Sequence, residues 1–584
     1  VDTLARAILG EAGTKLKVTV LAGYTTTPEL SWLILHEGNH KNAWGLNVTS
    51  SHNPFWFTGF KPEYFGRLAP NSFTDAMAEE YQHVYQDTIE FNGAYELAAE
   101  DAAADFVTII KRDQVVEKYS AQLLNRLVEI GIIAEPAYKA FSDLVEAYDG
   151  KLALDVKWGA GIDFWNNFKA KLSPEAQEKF LIFNNTPGGS DGIFDTNKPE
   201  PALANLGNLK DVMEEKDCGL GTDPDGDRTT VVEKVGKGLE EISMNELAGL
   251  FVFEKLNALL KDPKDIKEIV LATTLVSSKF AGLIVEYFKP QFEAKGIKVK
   301  IYENLPVGFK NFGETPETDK EASQNLLAEK PGRFSLCFEE SGGMSLGGWV
   351  QEKDGALGCL LAAGMRMKHE KSLLQQVEDI KKVIGRALVY EKDKTGMDHP
   401  KIKEKGYNKC APDFKAYFNK AKTDPAKNAE FIAGLQAFIG QEYKISALET
   451  VDGLKINLSA KDGLGGFIAF RLSGTEPIAR VYANLWGPIA NSEEVKERTV
   501  LLRQGGMRFF AGFIVEQALG KIAVVQDTPA GADKSVPKEI DVDEAKKFIQ
   551  EVLKEAKEIE QVYGERKPED VRFEAIIRVL KRNH

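Results

Sequence analysis

The chain has 584 residues, 43% of them hydrophobic and 28% charged, and a net charge of −14. That is the composition of an ordinary globular protein of about three to five domains. It shows no basic face for nucleic acid and no apolar run long enough for a bilayer, and its four cysteines (Cys218, Cys337, Cys359, Cys410) have neither C-x-x-C nor zinc spacing. A reduced, cytoplasmic protein with neither nucleic-acid nor membrane partner is the expectation.

Val1-Asp2-Thr3-Leu4-Ala5 lacks the basic start of a signal peptide, and no methionine precedes it. The chain opens inside a predicted helix, Thr3 to Gly13, and so reads as a fragment. Leu16 to Leu21 alternates apolar and polar residues and predicts a strand. Thr26 to His36 predicts a capped helix with Pro28 in its first turn. Gly45 to Val48 predicts a short strand running into Thr49-Ser50-Ser51-His52-Asn53-Pro54, with Lys61 ten residues beyond Ser51. Asp75 to Tyr148 reads as largely helical, broken near Pro136. Lys151 to Val156 restarts the pattern with a strand that leads into Gly159-Ala160-Gly161.

A helix at Glu246 to Leu260 precedes a charged linker, Lys261 to Asp265. A strand (Ile269 to Thr274), a helix (Ser277 to Phe288) and a strand (Ile297 to Tyr302) follow. This βαβ rhythm predicts doubly wound α/β domains. The polar stretch Glu391 to Lys405 reads as a separator. Tyr443 to Leu458, Gly466 to Leu472 and Arg480 to Leu485 read as strands of a last mixed sheet. Pro529 to Pro537 resembles a connector. Asp541 to Tyr563 is an amphipathic pattern with Phe548, Val552, Ile559 and Val562 on one stripe.

Ser51 is a hydroxyl beside a histidine in a loop at a strand end, where open α/β sheets place their chemistry. His52 as its general base, in the manner of a Ser-His hydrolase, is disfavoured. Adjacent residues of an extended segment point apart, and no G-x-S-x-G elbow surrounds the serine. Asp223, Asp225 and Asp227 alternate in one loop, and three carboxylates so close repel unless a cation intervenes. Oxygen ligands suit Mg²⁺ or Ca²⁺. Counted from Asp223, the EF-hand's glycine and glutamate positions hold Arg228 and Lys234, so an EF-hand is excluded. A solvated acidic turn is the plainer alternative, and Arg228 beside the trio favours phosphoryl chemistry over it. Arg471-Leu472-Ser473-Gly474-Thr475-Glu476-Pro477, with Arg480 close behind, frames a Ser-Gly-Thr loop with two guanidiniums. This arrangement can hold phosphate without a Walker motif. Glu339-Glu340-Ser341-Gly342-Gly343, after the strand Phe334 to Phe338, suits a polyol or serves as an exposed turn. Lys310 is either a surface lysine or a further cation for the same cleft.

Together and in this order, these segments resemble the α-D-phosphohexomutase family over about residues 15 to 490. Thr49 to Pro54 matches its T-x-S-H-N-P serine loop, Asp223 to Arg228 its D-x-D-x-D-R metal loop, Phe338 to Gly342 its G-E-x-S-G sugar loop, and Arg471 to Pro477 its R-x-S-G-T-E-P phosphate loop. The resemblance implies a multi-domain α/β fold around a central cleft, with three related α/β domains of mixed sheets and a smaller α+β C-terminal domain. The expected segments are 1–149 (phosphoserine), 150–262 (metal), 263–392 (sugar) and 393–500 (phosphate), with 501–584 a C-terminal helical extension. It also implies an isomerase moving a phosphoryl group between the 1- and 6-positions of a hexose phosphate, glucose first and mannose second, through phospho-Ser51 and a hexose bisphosphate.

On this reading Ser51, His52, Lys61 and Arg228 are catalytic, and Mg²⁺ is bound by Ser51, Asp223, Asp225 and Asp227. Lys310, Glu339, Ser341, Arg471, Ser473, Gly474, Thr475 and Arg480 contact the substrate. Lys61 would be an acid/base whose pKa cationic neighbours lower. The expected assembly is a monomer or a dimer. A phosphatase acting on sugar phosphate and an impaired sugar-phosphate-binding homologue are the alternatives. The chain departs from the family in three ways. It has no F-G-T-S-G-x-R-G segment before the serine loop. Phe338 stands where glycine is usual, and Gly343 where many members have an acid/base histidine. The residues beyond about 490 run past the family's usual end.

Overall fold

The computed structural model describes residues 18–519 other than 22, 38–42, 52, 54–58, 65, 70–72, 75, 77–78, 80–106, 188–198, 264, 314–324, 397–415, 417–418, 421–422, 450–452, 461 and 473–477. The predicted helix at Thr3 to Gly13, the connector at Pro529 to Pro537 and the amphipathic stripe after it lie outside these residues.

β1 (Val18–Leu21) leads to the helix Thr27–His36, which starts where the sequence signals it. Thr26 and Glu29 form a reciprocal capping box, and Pro28 occupies the first turn. β2 (Trp44–Val48), β3 (Phe60–Tyr64) and β4 (Arg67–Leu68) then form a small antiparallel sheet. The region predicted to be helical from Asp75 is interrupted by β5 (Val107–Ile110), which pairs in parallel with β1. Val107 and Ile109 alternate with Thr108 and Ile110, a β-branched run whose strand preference the longer helical pattern conceals. Helices at Arg112–Ile130 and Ala137–Ala147 follow.

Two larger mixed sheets share one plan. β6 (Leu152–Asp155) lies between β7 (Phe180–Phe183) and β8 (Cys218–Thr222), parallel to both. β8 then turns back antiparallel into β9 (Thr229–Val235) and β10 (Gly238–Ile242). β11 (Glu268–Thr274) likewise lies between β12 (Lys298–Leu305) and β13 (Arg333–Glu339), parallel to both, and β13 turns back into β14 (Gly343–Leu346). In each, the first strand is central and the third opens an antiparallel hairpin.

The last sheet is antiparallel throughout, in the order β15 (Arg386–Gly396), β19 (Ile478–Pro488), β18 (Gly465–Leu472), β17 (Leu454–Ser459), β16 (Lys444–Glu449). Three sequence expectations are corrected here, the first being a mixed last sheet where this one is antiparallel. The stretch read as a separator is, as far as Gly396, the strand β15. Tyr443 to Leu458 is two paired strands, not one. The chain is thus a multi-domain α/β protein with mixed sheets.

One apolar core runs continuously from the helix Arg112–Ile130 through β6, β8, β11 and β13, while the last sheet packs its own core against the helices Pro425–Ile439 and Ser492–Leu519. The helix Gly355–His369 is buried on every side from Gly355 to Met367, as an all-round apolar helix must be. Its glycines make room for neighbours: a Cβ at Gly358 would lie 2.2 Å from Thr229 Oγ1. Cys218, Cys337 and Cys359 are buried and unpaired. Among the described residues, no helix is long and apolar enough to cross a membrane.

Candidate active site

The β8–β9 hairpin loop is built to hold charge. Asp223, Asp225 and Asp227 lie between the paired Thr222 and Thr229, and all three are buried. Gly226, at φ 71°, lets the loop turn in the left-handed region. Ligand atoms of the three carboxylates lie within 4.8 Å of one another.

Each carboxylate is held by one oxygen and leaves the other without a hydrogen-bond partner. Asp223 Oδ1 accepts from the backbone N–H groups of Asp227 and Arg228, both at 3.0 Å. Asp225 Oδ2 accepts from Lys61 Nζ at 2.5 Å and Thr27 Oγ1 at 3.2 Å. Asp227 Oδ2 faces Lys61 Nζ at 2.9 Å and Lys353 Nζ at 3.2 Å. Asp223 Oδ2, Asp225 Oδ1 and Asp227 Oδ1 remain buried and unsatisfied. Buried acceptors are rarely left so, and three together fit a hard divalent cation.

The electrostatics point the same way. Burial first, then repulsion from Asp227 and Asp225, pushes Asp223 well above the usual carboxylate range, against the pull of Arg228 and Lys61. Burial also opposes charge on Asp227, but Lys353, Lys61 and Arg228 outweigh it and hold that carboxyl low.

Lys61 departs from expectation. Burial works against its charge, yet Asp225, Asp227 and Glu352 prevail and hold the ammonium well above its ordinary value. The sequence reading had cationic neighbours lowering it. In the fold its nearest partners are carboxylates, so the direction is reversed.

Ser51 stands just past β2 at φ 53°, a strained conformation for a residue with a Cβ, and its N–H donates to Thr49 Oγ1 at 2.8 Å. The β2–β3 pairing sets Asn47 opposite Lys61 and Val48 opposite Phe60, so the hairpin that carries Ser51 also delivers Lys61 to the aspartates. His52 lies outside the described residues. Arg228 Nε is 3.8 Å from Asp223 Oδ2, and its other end is 3.7 Å from Glu200.

The β13–β14 turn abuts this loop directly. Thr229 N donates to Gly342 O at 2.8 Å, and Gly355 N donates to Gly226 O at 3.0 Å. Glu339 is buried and accepts from Gly308 N at 2.7 Å, while burial raises its pKa. Ser341 is exposed at the turn, and Lys310 is partly exposed in the short Phe309–Phe312 turn. Arg471 and Arg480 face each other across β18 and β19. Burial and then Glu340 push the Tyr482 hydroxyl above the usual phenol range, while Arg480 and Arg471 act the other way. Glu340 and the arginine pair thus all act on Tyr482. Ser473, Gly474 and Thr475 lie outside the described residues.

Several groups escape sequence reasoning. Lys353, just before the Asp354 N-cap, reaches Asp227. A Cβ at Gly343 would lie 2.3 Å from Lys353 Cδ, so the lysine fills the space that the glycine leaves. Behind the lysines lie two buried acids, Glu63 and Glu352. Burial and then Glu352 raise Glu63 well above the usual range, and burial brings Glu352 to about 7. The Glu352-Lys353-Asp354-Gly355 run at a helix start is the one local signal of this group.

Residues 256–383 match the α/β/α domain III of phosphoglucomutase/phosphomannomutase. A phosphoglucomutase of Staphylococcus saprophyticus is 24% identical over 496 residues, covering 81% of this chain and 78% of that protein. A phosphoglucomutase of Staphylococcus aureus (strain USA300) is 22% identical over 490 residues, covering 81% and 77%. A solved structure from Thermus thermophilus, provisionally assigned as a phosphomannomutase, has the same fold with a TM-score of 0.53 at 19% identity, covering 88% of each chain. With the aspartate loop, the two like-planned sheets and these relatives in view, the chain carries domain III of phosphoglucomutase/phosphomannomutase and is similar over four-fifths of its length to isomerases of that type.

Proposed function

We propose that this enzyme moves a phosphoryl group between the 1- and 6-positions of a hexose phosphate, glucose before mannose, through phospho-Ser51 and a hexose bisphosphate. The observation that carries this reading is the loop of three buried aspartates, each with one unsatisfied oxygen, ringed by Lys61, Lys353 and Arg228. Asp223, Asp225 and Asp227 would hold Mg²⁺, with Ser51 as a further ligand. When bound, Mg²⁺ supplies positive charge beside the transferring phosphoryl group.

The side chains have distinct tasks. The Ser51 hydroxyl carries the phosphoryl group, which passes to the free hydroxyl of the sugar phosphate. The serine oxygen is then rephosphorylated from the opposite end of the bisphosphate after the sugar turns round. Arg228 adds charge at the transferring group. Lys61 keeps its proton at Nζ and sets positive charge beside the reacting sugar hydroxyl, whose proton goes to the serine oxygen as the phosphoryl group leaves it, and Lys353 fills the space left by Gly343. Glu339 and Ser341 hydrogen-bond ring hydroxyls, with Lys310 nearby. Arg471, Arg480 and the Ser473-Gly474-Thr475 loop grip the non-reacting phosphate and so orient the sugar. His52 enters with the serine loop.

The test is direct. Intact-mass analysis is expected to find phosphate on Ser51 that Ser51→Ala removes. Glucose 1-phosphate should become glucose 6-phosphate only with Mg²⁺ and a bisphosphate primer. Inorganic phosphate released as fast as substrate disappears would replace this reading with a phosphatase. Binding without turnover would replace it with a non-catalytic homologue.

A further inference from the structure

The oxygen of Asp225 that points away from the open position is fixed from two directions by one hairpin. Lys61, on β3, reaches Asp225 Oδ2 at 2.5 Å. Its cross-strand partner Asn47, on β2, reaches the same oxygen through an intermediary. Asn47 Nδ2 donates to Thr27 Oγ1 at 2.7 Å, and Thr27 Oγ1 donates to Asp225 Oδ2 at 3.2 Å. The direction of this chain is set by chemistry. A hydroxyl has one proton, and accepting from the amide leaves that proton for the carboxylate. Thr27 is fully buried, and its N–H donates to Asp225 O at 2.9 Å, so one residue clamps Asp225 at both backbone and side chain.

We propose that Thr27, oriented by Asn47, is a positioning residue that fixes the Asp225 carboxylate so that Oδ1 faces the cation, and that it ties the Ser51-bearing hairpin to the metal loop. This rests on the aspartate trio being the Mg²⁺ site. The two carboxylate oxygens are distinguished only if something holds Oδ2. Lys61 stands on a flexible four-carbon stem and divides its bonds between Asp225 and Asp227. The threonine sits at the rigid start of the capped helix Thr27–His36 and supplies the fixed direction. Outer partners of metal ligands typically matter by about 10- to 100-fold in affinity.

The experiment is calorimetric titration of the full chain with MgCl₂, and separately with MnCl₂, without substrate, beside thermal melts in chelator. Thr27→Val keeps shape and removes the donor. It is expected to weaken cation binding about 10-fold, with kcat largely recovered at saturating Mg²⁺ and the metal-free melting temperature little changed. Thr27→Ser should restore wild-type affinity. Asn47→Ala should weaken binding less, and the double variant should be no worse than Thr27→Val alone, because both act through one hydroxyl. If Thr27→Val unfolds, Asn47→Ala carries the same test. Unchanged affinity in both single variants, or strictly additive losses, would overturn the proposal while leaving the metal site intact. A wild-type chain that binds neither cation would overturn the metal site and this proposal together.

Discussion

The sheet built on β6 and the sheet built on β11 are the same device with different loads. In both, the first strand is central, the second and third flank it in parallel, and the third turns into an antiparallel fourth. The turn at that hairpin carries the candidate site residues each time. Between β8 and β9 it is the segment Asp223–Arg228, which buries three carboxylates. Between β13 and β14 it is Glu340-Ser341-Gly342, which leaves a hydroxyl exposed. A buried loop of like charges is suited to a small cation. A short exposed turn with hydrogen-bonding groups is suited to a ligand that must enter and leave. The two turns touch through Thr229 and Gly342, so on the proposed function the same topology would set chemistry and recognition side by side.

The comparison breaks most readily at the charged loop. Asp225→Ala removes a proposed cation ligand and the anchor of Lys61 and Thr27 together. Turnover should fall by about 1,000-fold or more, in line with losing metal-assisted charge stabilisation, and calorimetry should show Mg²⁺ binding lost. Near-normal turnover would refute the division of labour. On the recognition side, Glu339→Gln keeps an acceptor for Gly308 N but loses the charge. KM for glucose 1-phosphate should rise about 10-fold with kcat changed less than about 3-fold, the pattern of lost uniform binding. A collapse in kcat instead would make Glu339 part of the chemistry.

A third test attacks the contact between the turns. Gly342 has φ 100°, and a Cβ there would lie 3.0 Å from Thr229 O. Gly342→Ala therefore combines backbone strain with a close approach. It should cost about 1–3 kcal/mol in a denaturant melt and raise KM more than it lowers kcat. An equal alanine placed at Gly236 or Gly385, where no atom lies within 4 Å of the added Cβ, is the control for positive φ alone.

How much of this the sequence discloses depends on how local each feature is. Asp223 to Arg228 and the Ser51 loop are contiguous, so they are visible as motifs before any fold is known. Lys353, Glu63 and Thr27 meet the site only through tertiary structure; Thr27 and Asp225 are separated by 198 positions. Strand β8 is missed for a different reason. Its Gly219 and Gly221 carry no strand preference, yet a Cβ at Gly219 would lie 2.5 Å from Val232 Cγ2, so packing demands the residue that hides the strand. β15 is concealed by Glu391-Lys392-Asp393-Lys394. It is the edge of its sheet, where charged side chains reach solvent and block further pairing.

The smallest expected effect concerns the acids behind the lysines. Glu352 is buried, and its pKa rises from an ordinary 4.5 to about 7, with burial the largest cause. A raised acid favours the folded state while both states are protonated, below about 4.5. That advantage is lost as pH climbs through 7, because the unfolded chain ionises first. Glu352→Gln keeps the oxygen that accepts from Lys353 N at 2.8 Å and removes the titration. In chelator, the variant should match wild type near pH 4.5 and gain progressively up to about pH 7. Above that it should level off about 1–3 kcal/mol more stable, the range a shift of this size allows. A gain independent of pH would mean that packing, not ionisation, is at work. A loss at pH 8 would mean that the Glu352 charge is needed by Lys61 and Lys353 more than burial penalises it.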